Sequence, residues 1–387
     1  MSNFLHHADW SFPIPIFYGP GRIEELGKLC KANDISRPLI VTDRGSAHLP
    51  FIKRTQDILN AQNLKTNLFS GVSPNPLDTE IQTGKAIFED GDHDAVIAIG
   101  GGSGMDGGKA ISLLANNSYS LWDFDNDKTE IKDINNFPRL ICIPTTSGTG
   151  AETESTAMVT HSDLGMKLCV WHPNQKPIAA LLDPELTVGL PCNLTAWTGV
   201  DALVHAIESY TINSLYSVAD GMAIEALTLI GRYLKKAVNS PNDLEARGGM
   251  LVGSCLAGIS FKKGLGLVHA VSHMVGAIYD SQHGLTNAIL LPAVLRFNKE
   301  SIQQKSKMMN FATFSETAGY NGFYDNICNL LDELQISKRL DSLGVTSDKV
   351  TELALKASKD AAAQTNPRKA SIAQLETLIS ESLQNAR

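Results

Sequence analysis

Residue types that bind metal ions occur one helical turn apart in the segment TGVDALVHAIESY. Asp201 and His205 are separated by four positions, so a helix would place both side chains on one stripe, with Glu208 beside them. Such a pair can chelate a cation. For this pair alone, an exposed helix face with salt bridges is the simpler interpretation, and we favour it.

Histidine is concentrated in the apolar segment LGLVHAVSHMVGAIYDSQHG. It contains His269, His273 and His283, three of the ten histidines of the chain. A single buried histidine is usually a hydrogen-bonded core residue, whereas three in one short apolar stretch need another explanation. With one aspartate they form a donor set suited to Zn(II) or Fe(II), with a position open for substrate. Spacing does not decide which three histidines bind, and by itself it favours the pair His269 and His273.

A glycine-rich turn follows the apolar run AVIAI and leads into a helical pattern. It reads GGGSGMDGGK, in which Gly102, Gly104 and Gly107 fit GxGxxG in the strand–turn–helix context that this motif requires. Glycines let the backbone approach a pyrophosphate, and a helix N-terminus supplies free N–H groups. A tight structural turn is the alternative, but so many glycines favour phosphate binding. The acidic residue expected about 20 residues further on is missing.

Two further features are compatible with a bound nucleotide. The run PTTSGTGAE follows the apolar run LICI and offers N–H and O–H donors to a phosphate or ribose, although a plain loop with a helix cap explains it equally well. Asp43 ends the run PLIVT. A carboxylate there could bind ribose hydroxyls and repel a 2′-phosphate, which favours NAD over NADP. A turn or N-cap role is the alternative for Asp43.

Alternating strand and helix patterns must position these turns. Strand candidates at 38–42, 95–99, 140–143 and 178–182 alternate with amphipathic stretches such as 51–60 and 76–89, which predicts βαβ units and a parallel sheet. Beyond about Thr187, long helical patterns dominate: 194–212, 217–238, 244–259 and 267–278. The predicted architecture is α/β plus all-α. An α/β dinucleotide-binding domain spans 1–187 and an all-helical domain spans 188–387, with the link at 186–191.

Composition excludes several classes of protein. The chain has 387 residues, of which 43% are hydrophobic and 19% charged, which argues against disorder. A formal net charge of -8 disfavours nucleic acid as a partner. The N-terminus has no signal-peptide pattern, and no apolar run of about 18 residues predicts a membrane span. Six scattered cysteines favour free thiols, so we expect a cytoplasmic protein.

Together these motifs resemble the iron-dependent (group III) alcohol dehydrogenase family. The resemblance covers nearly the whole chain, and it implies a Rossmann-like N-terminal domain and a helical C-terminal domain. The matching strings are IFYGPGRIEELG at 16–27, GGGSGMDGGKA at 100–110, PTTSGTGAE at 144–152, DPELT at 183–187, TGVDALVHAIESY at 198–210, GLVHAVSHMVGAIYDSQHG at 266–284 and NPR at 366–368.

The resemblance implies a metal-dependent, NAD-linked enzyme that reversibly oxidises a primary alcohol, a diol or an ω-hydroxy acid to the aldehyde. It implies Fe(II), with Zn(II) as the alternative, and a homodimer or larger homo-oligomer. Carried over by position, the metal ligands are Asp201, His205, His269 and His283, which leaves His273 to relay the substrate proton. The implied cofactor contacts are Asp43, Asn75, Gly100, Gly101, Gly102, Ser103, Asp106, Thr146, Ser147, Thr149 and Lys167.

The chain departs from the family pattern near the expected substrate region. Lys262 and Lys263 precede GLGLVH, where many members have small or amide residues, and Trp197 precedes TGVDA. One lysine could pair with an acidic substrate, although a solvated helix face explains both lysines equally well. Two other functions remain as alternatives. One is a non-redox lyase or synthase similar to dehydroquinate synthase, and the other is a nucleotide- or metal-binding protein without catalysis.

Overall fold

The structure is a computed structural model that describes residues 14–128, 130–385 and 387. The signal-peptide expectation falls on residues outside this range. The chain divides into two compact units. We call residues 14–146 with Gly150–Gly189 the α/β unit, and Leu190–Arg387 with Ser147–Thr149 the helical unit.

The α/β unit is built on a six-stranded parallel sheet. Its strand order is β3-β2-β4-β5-β8-β1, and β6 and β7 form a separate antiparallel hairpin. The strands are β1 Ile16–Tyr18, β2 Pro38–Asp43, β3 Asn67–Val72, β4 Ala95–Gly100, β5 Arg139–Pro144, β6 Thr156–His161, β7 Met166–Trp171 and β8 Ala179–Leu182. The helices are α1 Leu26–Ala32, α2 Pro50–Ala61, α3 Asp78–Asp90 and α4 Gly102–Leu114.

Both faces of this sheet are buried, which explains the uninterrupted apolar runs of its central strands. Ile97 of β4 lies opposite Ile40 of β2 and Ile141 of β5. These three belong to one buried core cluster, while the next residues along the same strands, such as Val96 and Ala98, belong to a second. The alternation therefore separates two core layers on the two sides of one sheet.

The four strand candidates are present, within one residue at each end. Strand β3 and the β6–β7 hairpin were not predicted, because only some of their residues are buried and polar side chains interrupt their apolar residues. The six-stranded parallel sheet and the helices that follow it in the chain confirm the predicted α/β plus all-α class.

The helical unit surrounds one central helix. Its helices are α5 Cys192–Thr211, α6 Ser217–Asn239, α7 Leu244–Ser260, α8 Leu267–Tyr279, α9 His283–Phe314, α10 Tyr320–Glu333, α11 Val350–Ala357, α12 Ala361–Thr365 and α13 Ile372–Gln384. Helices α6, α7 and α9 all pack against α5, so α5 is buried along most of its length. Helix α8 packs against α9, α11 and α12.

Across the described ranges, no single helix is long and apolar enough to cross a membrane. The pair formed by Leu244–Lys263 and Leu267–Tyr279 meets the length and composition criteria together, with a bend of 104° between its two parts.

Candidate metal centre

The pair on α5 is buried rather than solvent-facing. Asp201 is 2% exposed and His205 is 4% exposed. The exposed, salt-bridged face that we favoured for this pair alone is therefore wrong, because α6, α7 and α9 cover the helix on several sides. Spacing showed the shared stripe, but it could not show that other helices would enclose it.

Four side chains from α5, α8 and α9 converge on one point. The Oδ1 atom of Asp201 lies 4.0 Å from Nε2 of His205, 3.7 Å from Nε2 of His269 and 3.6 Å from Nε2 of His283. Ligand atoms about 2.1 Å from a common ion lie about 3.4 Å apart in a tetrahedral arrangement. The three separations from Asp201 are slightly wider than that. Asp201, His205 and His269 each offer one ligand atom within 4.8 Å of the others, and His283 joins this group through its distance to Asp201.

Glu208 holds one of these histidines in place. One carboxylate oxygen accepts hydrogen bonds from Nδ1 of His269 at 2.7 Å and from the backbone N–H of Gly266 at 2.9 Å. The other accepts from the N–H of Val268 at 2.8 Å. With Nδ1 donating to Glu208, Nε2 of His269 is turned toward Asp201. The sequence placed Glu208 on the same helix stripe, but it gave no sign of this role.

The protonation states around Asp201 suit a cation. Burial opposes the charge on Asp201, but His205, His283 and His269 hold its pKa well below the usual range. Burial lowers the pKa of His205 to about 4, so its ring is neutral. For His269, burial is outweighed by Asp201 and Glu208, which raise its pKa to about 9. A metal bound here would therefore displace a proton from His269.

Asn287 completes the cluster from the first turn of α9. Its Nδ2 atom lies 2.6 Å from Oδ1 of Asp201, 3.2 Å from Nε2 of His269 and 3.1 Å from Nε2 of His283. Its Oδ1 atom is buried without a hydrogen-bond partner. The carboxylate of Asp201 and the rings of His269 and His283 face one point beside an unsatisfied amide oxygen. Once His269 gives up its second proton, this arrangement fits a divalent cation.

His273 has a different partner from the four convergent residues. Its Nδ1 atom lies 2.9 Å from Oδ2 of Asp360, and the other oxygen of Asp360 accepts from the N–H of Ala362 at the start of α12. Its ring stacks on that of His283, with centroids 5.5 Å apart and an interplanar angle of 11°. The structure thus brings His273 beside the cluster. Its Nδ1 atom is held by the carboxylate of Asp360, a residue that the sequence did not single out.

The glycine-rich turn lies at the carboxyl end of β4. Gly100 has φ of 144°, and a β-carbon there would lie 2.9 Å from Oδ2 of Asp43. Asp43 accepts hydrogen bonds from the N–H and the hydroxyl of Ser46, so it also has the turn role considered as an alternative. Gly101, Gly102 and Ser103 then open helix α4. The first glycine-rich turn and Asp43 are therefore neighbours at the carboxyl ends of β4 and β2.

Other predicted cofactor residues form pairs with each other or with residues that were not predicted. Nζ of Lys167 donates to Oδ1 of Asn75 at 3.3 Å. Asp106 pairs with the buried Lys109 at 3.2 Å, and Lys109 also donates to the carbonyls of Ala151 and Thr156. Lys109 therefore ties the first glycine-rich turn to the end of the second.

The second glycine-rich turn is divided between the two units. Thr146 belongs to the α/β unit, where its Cγ2 lies 3.4 Å from the position that a β-carbon on Gly101 would take. Ser147 and Thr149 belong to the helical unit. There the intervening Gly148 packs so closely on Thr198 of α5 that a β-carbon would lie 2.8 Å from that residue's own.

The two lysines before α8 lie in a 3-10 turn, Phe261–Lys263, instead of a regular helix. The Lys263 side chain is fully buried, and its ammonium group lies 2.5 Å from Oδ1 of Asp220. The charge of Lys263 is therefore balanced by Asp220 within the helical unit.

Known protein families account for both halves of the chain. Residues 13–184 match the family model described as iron-containing alcohol dehydrogenase, and residues 195–383 match the model for the C-terminal part of the Fe-containing alcohol dehydrogenase family. These matches confirm the resemblance inferred from the motifs.

Individual relatives match this chain over nearly their full lengths. The chain is 33% identical to 1,3-propanediol dehydrogenase of Klebsiella pneumoniae over 375 residues, covering 93% of this chain and 95% of the relative. It is 34% identical to NAD-dependent methanol dehydrogenase of Bacillus methanolicus over 400 residues, covering 99% and 100%. A crystal structure of 1,3-propanediol oxidoreductase superposes with a TM-score of 0.92 at 31% identity, covering 98% of this chain and 100% of that one. The chain therefore belongs to the iron-containing alcohol dehydrogenase family, which in general depends on a metal ion and on NAD, and it is an oxidoreductase of the iron-type alcohol dehydrogenase class.

Proposed function

We propose that Asp201, His205, His269 and His283 bind one divalent metal ion, and that the enzyme uses it in the reversible, NAD-linked oxidation of a primary alcohol to its aldehyde. The observation that carries this proposal is the convergence of three imidazole nitrogens on one oxygen of Asp201, at 3.6 to 4.0 Å. Fe(II) is the metal we propose, with Zn(II) as the alternative, since three histidines and a carboxylate suit both ions.

When bound by these four residues, a divalent ion would supply Lewis-acid chemistry at the substrate oxygen, and NAD would supply the hydride acceptor. Glu208 orients His269 through its Nδ1 atom. Asp360 does the same for His273, so Nε2 of His273 is available to take the proton of the substrate hydroxyl. His273 is therefore our candidate for the proton relay.

For the cofactor, we propose that the glycine-rich turn at 100–103 and the N-terminus of α4 bind the pyrophosphate. The remaining contacts are proposed as carried over: Asn75, Asp106, Thr146, Ser147, Thr149 and Lys167. Asp43 lies against Gly100 at the end of β2, where a carboxylate binds ribose hydroxyls and repels a 2′-phosphate. NAD is therefore the preferred cofactor in this proposal.

For the substrate, we propose a neutral primary alcohol or diol over an acidic one. Lys263 already pairs with Asp220, so its charge is not available to a substrate carboxylate. We further propose a homodimer or larger homo-oligomer in the cytoplasm, where the six free cysteines would remain reduced.

The test of the metal assignment is the His269→Ala variant. We expect it to lose most bound metal and most turnover, because it removes one ligand from the centre of the cluster. The control is His161→Ala, which removes a histidine of the β6–β7 hairpin and should retain both. Full metal occupancy and normal turnover in His269→Ala would reject the assignment.

The test of the cofactor assignment compares Asp43→Ala with Ser46→Ala. We expect Asp43→Ala to reduce the preference for NADH over NADPH in kcat/KM by at least about tenfold, which corresponds to 1.4 kcal/mol. Ser46→Ala removes one hydrogen bond to Asp43 but keeps the carboxylate, so the preference should persist. Equal ratios in Asp43→Ala and the wild type would reject the role of Asp43.

A further inference from the structure

Asn287 is the one amide side chain recorded within the proposed metal cluster over the part of the chain that the structure describes. It lies four residues after His283, so one face of α9 presents both side chains to Asp201. It is fully buried. Its Nδ2 atom is within 3.2 Å of Oδ1 of Asp201 and of Nε2 of both His269 and His283. The amide therefore faces three of the four proposed ligands.

The hydrogen-bonding capacity of Asn287 does not match these surroundings. The amide nitrogen is a donor only, and it points at one atom each of Asp201, His269 and His283. Its carbonyl oxygen is buried without a partner, an arrangement that is costly and uncommon in proteins. The side chain thus directs its nitrogen at the cluster and leaves its acceptor oxygen unused.

With a cation in the cluster, Asn287 would need to present a hydrogen-bond acceptor there instead of a donor. Asp201 Oδ1 and the two Nε2 atoms would then direct their lone pairs to the ion and could no longer accept the amide hydrogens. The Nδ2 hydrogens would also face a positive charge. A half-turn about the bond to the amide carbon exchanges nitrogen and oxygen, so the unsatisfied oxygen would take the place of the nitrogen.

We propose that Asn287 is a switching ligand: its nitrogen bonds Asp201 in the metal-free protein, and its carbonyl oxygen coordinates the metal in the loaded protein. This inference rests on the proposed metal centre and adds a fifth protein ligand to it. The donor set becomes three imidazole nitrogens and two oxygens. Side-chain amide oxygens are established ligands of hard cations, and harder ions such as Fe(II) accept oxygen readily.

Two substitutions at this position separate the oxygen from the nitrogen. Asn287→Leu keeps the size and removes both atoms, so Zn(II) affinity, measured on metal-free protein by competition with a chelator, should fall by about 10- to 100-fold. Asn287→Asp keeps an oxygen and adds charge, so its Zn(II) affinity should equal or exceed that of the wild type. An Asn287→Asp variant that binds Zn(II) as weakly as Asn287→Leu would overturn the proposal, because the nitrogen would then be the atom that matters.

Co(II) spectra provide a readout that does not depend on turnover or on affinity. Loss of one ligand from a five-coordinate ion strengthens its visible d–d absorption, so Asn287→Leu loaded with Co(II) should absorb more strongly than the wild type. An unchanged band would contradict ligation by Asn287. Asn310→Asp is the matched control, since Asn310 is a buried amide on the same helix that bonds Ala318 and Asn326 instead, and its band and affinity should match the wild type.

The same titrations distinguish this inference from the metal centre on which it rests. A wild-type protein that binds neither Zn(II) nor Co(II) would contradict the proposed centre itself. A wild-type protein that binds both, with Asn287→Leu unchanged in affinity and spectrum, would contradict the switching ligand alone.

Discussion

At the scale of single residues, the carboxylate of Glu208 has two roles. It orients the ring of His269, and it accepts the N–H groups of Gly266 and Val268 at the start of α8. A carboxylate at a helix N-terminus is favoured by the partial positive charge there. A β-carbon on Gly266 would lie 2.7 Å from Glu208, so glycine is needed at that position.

We predict that Glu208→Gln weakens metal binding by about 10- to 100-fold, because the orientation of His269 would no longer be fixed by a carboxylate. A chelator competition titration with Zn(II) measures this loss. Glu225→Gln, an exposed change on α6, is the control and should leave the affinity unchanged. Wild-type affinity in Glu208→Gln would contradict the orienting role.

Sequence reasoning reached some of these residues and missed others for a physical reason. Asp201 and His205 share a stripe that helical periodicity reveals, and the family resemblance supplied His269 and His283. Glu208, Asn287 and Asp360 make these contacts with residues 58 to 87 positions away, apart from the contacts of Asn287 with the nearby His269 and His283. Periodicity within one segment carries no information about such contacts.

At the scale of elements, the start of α9 must approach α5 closely for His283 to reach Asp201. Gly284 makes this possible, since a β-carbon there would lie 2.3 Å from the carbonyl oxygen of Trp197. Because this contact is with the backbone of α5 and not with a flexible side chain, it cannot be relieved by a change of rotamer. The glycine after His283 is therefore a requirement of helix packing.

We predict that Gly284→Ala pushes α9 away from α5, lowers the free energy of unfolding by about 1–3 kcal/mol and weakens metal binding. Gly221→Ala is the matched control on α6, where no atom lies within 4 Å of the added carbon. It should be neutral or stabilise the protein by up to about 1 kcal/mol. Chemical denaturation of both variants measures the difference, and equal stabilities would contradict the packing argument.

Lys305 connects α9 to the end of α5. Its ammonium group donates to the carbonyls of Tyr210 and Ile212, at 2.7 and 3.0 Å. Burial, and then the nearby Lys263, lower the pKa of Lys305 to about 8. An unfolded lysine has a pKa of about 10.4. Between these values the unfolded chain binds more protons than the folded one, so this group adds stability as pH rises.

We predict that the free energy of unfolding of the wild type, compared with Lys305→Met, increases between pH 8 and about 10.4. The difference between the two proteins isolates this group from others that titrate in the same range. Denaturation at several pH values measures it. A difference that stays constant or decreases over this range would contradict the lowered pKa.

Elements were predicted well where burial produced a simple pattern. The apolar runs of β2, β4, β5 and β8 identified four of the six sheet strands, because a parallel sheet covered on both faces selects uninterrupted apolar residues. The edge strand β3 has the sequence NLFSGV. Its polar residues interrupt the apolar run, so the pattern that identified the other strands is missing there. Topology at the sheet edge depends on pairing, which a local pattern does not encode.

At the scale of the whole molecule, the proposed functions are divided between two compact units. All four proposed metal ligands and His273 lie in the helical unit, and the first glycine-rich turn with Asp43 lies in the α/β unit. One family model matches residues 13–184 and the other matches residues 195–383. The predicted change of domain near residue 187 stays a prediction, and the compact units change between Gly189 and Leu190.

The most direct test of the central claim is a titration of metal-free protein with Fe(II) under anaerobic conditions, following NADH formation from a primary alcohol. We predict no turnover without metal and a linear rise that reaches its plateau at one Fe(II) per chain. Turnover that persists in the metal-free protein, or that does not respond to Fe(II) or Zn(II), would contradict a metal centre at Asp201, His205, His269 and His283.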